Sequence, residues 1–151
     1  MVRIRQAGLP DASVMTGLRC TFLEEELGQA LPDGFADHLR NWIEEAVQDG
    51  RLLFWLAEHE GKVAGCAAVN PYPHLPSAQF QRGVGWYLLN IYVKPSSRRQ
   101  GIAAALLTTV GAAAREQGVD AMNLHSTAVA HDIYERFGFR TSVDAMNMPL
   151  S

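Results

Sequence analysis

The stretch Val93-Lys94-Pro95-Ser96-Ser97-Arg98-Arg99-Gln100-Gly101-Ile102-Ala103-Ala104 decides the fold of this chain. An apolar, strand-like pattern ends at the start of this stretch. A loop with two arginines and a glycine follows, and the pattern of an amphipathic helix begins at the end of the stretch. The first turn of a helix has unpaired backbone N–H groups and the positive end of the helix dipole. Because Gly101 lacks a Cβ, an anion can approach this backbone closely. The stretch therefore predicts an anion-binding turn.

The composition limits the class of protein. A length of 151 residues suits a single domain with its own core, so we expect one domain over residues 1–151. Apolar residues make up 48% and charged residues 19%, which is typical of a globular chain. No apolar run approaches the length of a membrane span, and the N-terminus lacks a signal-peptide pattern. We expect a soluble cytoplasmic protein that does not bind membranes.

Charge and cysteine content exclude further classes. A net charge of −3 gives no broad attraction to nucleic acid, so we expect no nucleic-acid partner. Cys20 and Cys66 form no C-x-x-C pair, and the five histidines have no metal-ligand spacing, so we expect neither a disulfide framework nor a metal site.

Hydrophobic periodicity predicts a mixed α/β order: a strand, two helices, a hairpin, a central strand, a helix, a strand, a helix and two last strands. The predicted helices and strands are strand 2–5, helix 11–27, helix 35–49, strands 52–58 and 62–69, strand 86–93, helix 102–117, strand 121–125, helix 128–137 and two strands within 139–150. Residues 70–85 contain three prolines, and we interpret them as a lid or substrate loop. The strands that flank the third helix must be parallel.

The second chemical motif is Ala130-His-Asp-Ile-Tyr134-Glu-Arg-Phe-Gly138-Phe139. Ala130 and Tyr134 are one helical turn apart and share a face, so the small residue leaves room for a thin ligand beside the phenol. Together with Arg98-x-x-Gly101-x-Ala103, this segment resembles the signature of the GNAT N-acetyltransferase superfamily. The order of helices and strands is similar to the GNAT fold throughout the chain. That fold has a mostly antiparallel central sheet with one splayed parallel pair, flanked by four helices.

The resemblance implies that acetyl-CoA is the cofactor and that a primary amine of a small molecule or peptide is the acceptor. It assigns the pyrophosphate to the amides from Arg99 to Ala104, with charge from Arg98. It places Ala130 beside the pantetheine and Tyr134 near the sulfur, where its O–H can protonate the leaving thiolate. Many members carry an asparagine shortly before this helix, whereas Ser126 and Thr127 stand here and can bond the pantetheine or cap the helix.

The central strand has its own expected role. In the family its backbone splays from the parallel neighbour and pairs with the pantetheine, which assigns Ile91, Tyr92 and Val93 to the cofactor. A β-bulge near Asn90 would aim the N–H of Ile91 or Tyr92 at the thioester carbonyl. Asn90 is the odd polar residue of this strand and serves either the acceptor or a structural hydrogen bond.

The general base is open at this stage, because the central strand contains no carboxylate. Glu25 is taken to represent the acidic cluster that closes the first helix, and a solvated charge cluster is its alternative explanation. His125 at a strand end is the other candidate for the acceptor site, with His74 behind it.

Other interpretations stay open as well. The arginines near the turn can be a solvated pair, and Tyr134 can be a core residue. A noncatalytic acyl-CoA sensor or scaffold would use the same fold, and a nucleotide-binding domain would prefer ATP or NAD to coenzyme A. The resemblance also implies that the chain can form a homodimer through its terminal strands.

Overall fold

A five-stranded sheet organises the protein, whose computed structural model describes residues 1–150. The strands lie in chain order across the sheet, and they are β1 (Val2–Gln6), β2 (Leu53–His59), β3 (Lys62–Pro73), β4 (Val84–Val93) and β5 (Ala121–Asn123). The first four are antiparallel to their neighbours, whereas β5 runs parallel to β4. This confirms the predicted mixed sheet with a single parallel pair.

Four helices cover the two faces of the sheet, as predicted. They are α1 (Ala12–Glu25), α2 (Phe35–Asp49), α3 (Ile102–Glu116) and α4 (His131–Phe137). Side chains of α1 and α2 pack with Leu56, Cys66 and Tyr92 in one core, and side chains of α3 and α4 pack with Trp86 and Leu88 in the other. The crossover through α3 is what allows β4 and β5 to be parallel.

The proline-rich segment differs from the prediction, because it is not a loop over its full length. Strand β3 continues to Pro73 and pairs with β4, so only residues 74–83 connect the two strands. Pairing between β2 and β3 ends at Val69, which leaves residues 70–73 with one neighbouring strand. A proline without an N–H is tolerated on such an edge.

The predicted strands within residues 139–150 do not form, which is a second correction. No strand is assigned after β5 up to residue 150, and Met146, Met148 and Leu150 have side chains that are 93%, 79% and 88% exposed. The alternation of apolar residues that suggested strands is present, but these residues pair with no other strand of the described chain.

Helix and strand ends also shift. Strand β5 ends at Asn123 rather than at 125, and α4 starts at His131 rather than at 128 because residues 127–130 form a turn. In that turn the Ala130 N–H donates to the Thr127 hydroxyl at 3.3 Å. None of the helices in residues 1–150 combines the length and the apolar character needed to cross a membrane.

Two glycines give a matched test of the packing between β3 and β4. A Cβ on Gly65 would lie 2.7 Å from the Tyr92 carbonyl oxygen, whereas a Cβ on Gly17 in α1 meets nothing within 4 Å. We expect Gly65→Ala to lower the free energy of unfolding by about 1–3 kcal/mol, because the added methyl forces the strands apart. Gly17→Ala is expected to raise it by about 0.5–1 kcal/mol, because alanine loses less entropy in a helix.

Urea denaturation followed by tryptophan fluorescence measures both free energies. A Gly65→Ala protein as stable as the unmodified one would contradict the tight β3–β4 contact described above.

Candidate active site where β4 and β5 part

The parallel pair opens along its length. Strands β4 and β5 are in register only at Gly85–Ala121, Trp86–Met122 and Tyr87–Asn123. Beyond Tyr87, strand β4 continues to Val93 while β5 has ended, so this edge of β4 has no strand beside it. The unpaired main-chain groups can pair with an extended ligand as they would with a strand. The splayed pair that the sequence predicted is therefore present.

A bulge lies in this unpaired part of β4. Cys66 is opposite Tyr92 and Ala68 is opposite Leu89, so β4 has one residue more than β3 between these pairs. Asn90 has φ 53°, a left-handed conformation that asparagine tolerates better than most residues. The bulge lies where the family resemblance implied it, and it turns the backbone of Ile91 differently from the rest of the strand.

The Asn90 side chain is buried and joins two neighbours of the strand. Its Nδ2 donates to the Cys66 sulfur at 3.4 Å, and its Oδ1 accepts a hydrogen bond from Arg19 Nη1 at 3.3 Å. Burial raises the pKa of the Cys66 thiol to about 12, so this cysteine stays protonated and is a hydrogen-bonding group rather than a nucleophile. Asn90 thus fixes the bulge from β3 and from α1.

The turn before α3 has a row of free main-chain donors. From Arg99 to Ala104, no backbone N–H donates to an acceptor within residues 1–150; the first helical bond is from Ala105 to the Gly101 carbonyl. Gly101 has φ 76°, no side chain caps the helix, and a Cβ at Gly101 would meet nothing within 4 Å. Six successive donors at the positive end of a 15-residue helix form the cradle that the sequence predicted for an anion.

Two arginines border this cradle in different ways. The Arg98 side chain donates from Nε to the Val93 carbonyl at 2.9 Å and forms an ion pair with Glu26 at 3.1 Å. Arg99 is exposed, has φ 65°, and has no ion pair with a carboxylate of residues 1–150. Arg98 therefore holds the end of β4 against α1, and Arg99 is the arginine left to face an anion.

Tyr134 lies on α4 beside an open cavity of about 460 Å³ that also borders β5 and the following segment. Its side chain is buried, and desolvation alone raises the pKa of its hydroxyl to about 12. Ala130 is half-buried and lies one helical turn before Tyr134, which is consistent with the expectation that the two residues share a face. A phenol in this environment keeps its proton at neutral pH and can donate it.

His125 lies in the same cavity, just after β5. Its Nδ1 is 2.5 Å from the Tyr87 hydroxyl, and the two rings are 5.6 Å apart. Ser126 is also on the cavity wall, and its hydroxyl lies 3.3 Å from His131 Nδ1. Thr127 instead accepts the Ala130 N–H, so it caps the turn before α4.

Glu25 is separated from this group. It is exposed at the end of α1, and its Oε2 accepts a hydrogen bond from the Tyr92 hydroxyl at 3.3 Å. The Tyr92 ring packs against Phe22, and the Arg98 guanidinium lies 5.7 Å from its centre. Burial, followed by the nearby Glu25, raises the pKa of the Tyr92 hydroxyl. Glu25 thus sits near the cradle rather than at the bulge.

A second, smaller cavity of about 140 Å³ opens beside the bulge, with Leu89 and Asn90 in its wall. Its walls come from α1, α2, β2, β3 and β4, and they are mostly apolar. Its lining residues are Arg19, Leu39, Trp42, Ile43, Leu52, Phe54, Ala68, Asn70, Leu89 and Asn90. An apolar pocket with a few polar groups is the kind of lining that small-molecule sites share.

Comparison with known proteins identifies the family. Residues 16–139 match the family described as Acetyltransferase (GNAT) family. The chain belongs to the GNAT acetyltransferase family. Members of this family use acetyl-CoA as acetyl donor, which confirms the cofactor expected from the sequence.

Two curated relatives of this GNAT chain carry N-acetyltransferase names. It is 36% identical over 92 residues to human N-acetyltransferase 8, an alignment that covers 58% of this chain and 38% of that protein. It is 30% identical over 120 residues to mouse probable N-acetyltransferase family 8 member 5, covering 78% of this chain and 49% of that protein. The chain thus spans less than half the length of these curated relatives.

Solved structures share the fold. A predicted acetyltransferase with acetyl-CoA from Clostridium acetobutylicum superposes with a TM-score of 0.90 at 23% identity, covering 99% of this chain and 97% of that one. A GCN5-related N-acetyltransferase from Ralstonia eutropha superposes with a TM-score of 0.84 at 24% identity, covering 99% of both chains.

Sequence reasoning missed one polar residue of this GNAT site, Arg19. The buried positions of α1 are at 12, 15, 16, 18 and 23, and residue 19 lies within this stripe at helical spacing. A charged residue on the apolar side of an amphipathic helix was therefore the available signal. Trp42 on α2 is 38% exposed and also lines the smaller cavity.

The burial of the Tyr134 hydroxyl makes the free energy of unfolding depend on pH in the alkaline range. Because its pKa is about 12 in the folded chain and about 10 when unfolded, its contribution to stability is complete below pH 10 and is lost as the pH rises through 12. We expect Tyr134 to account for a loss of about 1 kcal/mol between pH 9 and pH 11.

Urea unfolding at the two pH values tests this, with Tyr134→Phe as the matched variant that lacks the ionisable group. The variant should lose correspondingly less stability over that interval; equal losses in both proteins would show that the phenol is not desolvated.

Proposed function

We propose that this protein transfers the acetyl group of acetyl-CoA directly to a primary amine of a small molecule or peptide. The observation that carries the proposal is the pairing of six free backbone donors, at residues 99–104, with an unpaired strand edge that leads to them. A diphosphate and an amide-containing arm need these two features side by side. Acetyl-CoA supplies the activated acetyl group and leaves as coenzyme A.

The binding roles follow the chain. The amides of Arg99, Gln100, Gly101, Ile102, Ala103 and Ala104 are proposed to hold the pyrophosphate, with added positive charge from Arg99. Arg98 contributes by tying the end of β4 to Glu26, which keeps the cradle and the strand edge in line. The edge formed by Ile91, Tyr92 and Val93 pairs with the pantetheine, and the half-buried Ala130 leaves space for it.

The bulge is proposed to supply the donor for the reacting carbonyl. Asn90 adopts a left-handed conformation, so the next amide, that of Ile91, departs from the direction of the regular strand. A fixed N–H that faces the thioester oxygen stabilises the negative charge that develops there during attack by the amine. One such donor contributes roughly 3 kcal/mol to a transition state.

Tyr134 is the proposed general acid. As the amine nitrogen forms its bond to the acetyl carbon, the bond from that carbon to sulfur breaks, and the sulfur takes the Tyr134 proton. The hydroxyl carries its proton across the neutral range, as a general acid must, and it lies in the cavity wall. The phenol regains a proton from solvent after coenzyme A leaves.

The amine must lose a proton as it reacts, and Glu25 and His125 are the two proposed acceptors of that proton. The geometry favours His125. It lines the same cavity as Tyr134 and bonds to Tyr87, the last β4 residue paired with β5. Glu25 lies nearer the cradle and bonds to Tyr92, which supports a positioning role for its carboxylate.

The remaining proposals concern the setting of the activity. We propose a cytoplasmic protein that acts as one domain and forms a homodimer. The apolar side chains of Met146, Met148 and Leu150, exposed in a single chain, support an association with a second copy. Light scattering of the full chain and of a chain without residues 143–150 tests this, and we expect the deletion to convert a dimer to a monomer. A monomeric full chain would refute the homodimer, and a dimer that survives the deletion would refute the role of these side chains.

The cradle can be tested by a matched pair of glycine variants. Gly101 and Gly50 are both left-handed glycines next to a helix, and a Cβ on either meets nothing within 4 Å. We expect Gly101→Val to weaken coenzyme A binding at least about 10-fold, because the side chain occupies the approach to the amides. Gly50→Val introduces the same backbone strain and should leave the affinity unchanged. Calorimetric titration measures both, and equal affinities would contradict the cradle.

Turnover tests the proposed reaction itself. We expect Tyr134→Phe to lower kcat by about 100-fold or more in a thiol-release assay, since the leaving thiolate loses its proton donor. Coenzyme A affinity should change little, because the ring remains. Unchanged kcat would remove Tyr134 from the mechanism, and binding of acetyl-CoA without release of thiol from any amine would favour the noncatalytic sensor.

A further inference from the structure

The two half-buried arginines of the chain differ in whether a carboxylate pairs with them. Within residues 1–150, only Arg5 and Arg19 are not exposed. Arg5 is neutralised by two carboxylates, Asp11 at 2.9 Å and Glu58 at 3.3 Å. Arg19 has no carboxylate within 4 Å in the described chain, and its one side-chain hydrogen bond goes to the neutral amide of Asn90. A guanidinium that is withdrawn from water in this way lacks the anion that such a group usually has.

The position of Arg19 connects it to the acceptor. It lines the 140 Å³ cavity, where it is the one charged residue among mostly apolar side chains. Its burial lowers its own pKa, yet a guanidinium remains charged at neutral pH. Asn90 accepts a hydrogen bond from only one of the five N–H groups of the Arg19 guanidinium. Two of the other N–H groups can therefore donate in parallel to the two oxygens of a carboxylate.

We propose that Arg19 binds the carboxylate of the acceptor, and that the amine acetylated by this protein belongs to a small amino acid with an apolar side chain. This inference rests on the proposed acetyl transfer and specifies its substrate class. The guanidinium bonds to the Asn90 side chain at 3.3 Å, and the proposed oxyanion donor is the amide of the next residue, Ile91. In an α-amino acid, one carbon joins the amine to the carboxylate, which suits groups that come from successive residues.

The rest of the cavity matches such a molecule. Leu39, Ile43 and Phe54 offer an apolar surface, and a cavity volume of about 140 Å³ is below the range of pockets for drug-sized ligands, so it suits a small molecule. Trp42 forms the outer wall and is covered by the Arg51 guanidinium at 5.2 Å, whose own charge is met by Asp49. Arg51 is thus neutralised at the rim, and Arg19 is the charge left for the ligand.

A structural role for Arg19 is the competing explanation, since its bond to Asn90 also supports the bulge. The two explanations differ in what they predict for related amines. A structural arginine acts equally on every acceptor, whereas a carboxylate-binding arginine acts on the acid alone. The comparison therefore uses leucine, leucinamide and 3-methylbutylamine, which share one side chain and differ in the carboxylate.

The experiment measures kcat/KM for the three amines by thiol release. We expect leucine to exceed the other two by about 10- to 100-fold, although leucinamide has the less basic and more readily available amine. Arg19→Gln should abolish that preference, and Arg19→Lys should keep part of it. Arg40→Gln, which removes an exposed arginine of α2, should leave it intact. Equal or better turnover of leucinamide, or an equal loss for all three amines in Arg19→Gln, would overturn the inference.

Binding separates this inference from the proposed activity. In the complex with coenzyme A, N-acetylleucine should bind at least about 10-fold more tightly than N-acetylleucinamide, and Arg19→Gln should remove the difference. If that difference appears but no amine releases thiol, the acetyl transfer fails and the carboxylate site stands. If neither compound binds, or both bind equally, the carboxylate site is refuted whatever the turnover.

Discussion

The site depends on the early end of the hydrogen bonding between β4 and β5. Two parallel strands that stayed paired would have satisfied each other's main-chain groups and left no edge for a ligand. Here three residue pairs hold the strands together, and the bulge at Asn90 then turns β4 away from a regular strand. Only residues 94–98 separate the end of β4 from the free amides before α3, so the unpaired edge and the anion cradle are close together along the chain.

The bulge is stabilised from two sides. Cys66 on β3 and Arg19 on α1 each bond to the Asn90 side chain, and the thiol also donates to the Asn90 carbonyl at 3.3 Å. A left-handed asparagine in the middle of a sheet is strained, so it persists only where neighbours fix it. The same contacts place the Arg19 guanidinium in the wall of the smaller cavity. The bulge and the proposed acceptor site therefore share the same few side chains.

The sequence was most informative about the parts of the site in which backbone groups, rather than side chains, are proposed to bind the ligand. A strand, a glycine turn and a helix predict a row of free amides without any knowledge of side-chain positions, and the family resemblance implied the bulge near Asn90. It was less informative where a contact joins distant segments. Nothing local to Glu25 states that it faces Tyr92, and nothing local to Arg19 states that it reaches Asn90, 71 positions away. The prediction of two strands within residues 139–150 was wrong, because a strand also needs a partner, and periodicity does not supply one.

The most direct test of the account is the response of individual backbone amides to coenzyme A, followed by NMR on a ¹⁵N-labelled sample. The account predicts that the largest shifts fall on residues 99–104 and on the unpaired part of β4, residues 88–93, while the amides of β1 and β2 stay unchanged. The account would be contradicted if coenzyme A bound saturably but shifted amides in other parts of the chain, or if the amides of residues 99–104 did not shift at saturating coenzyme A.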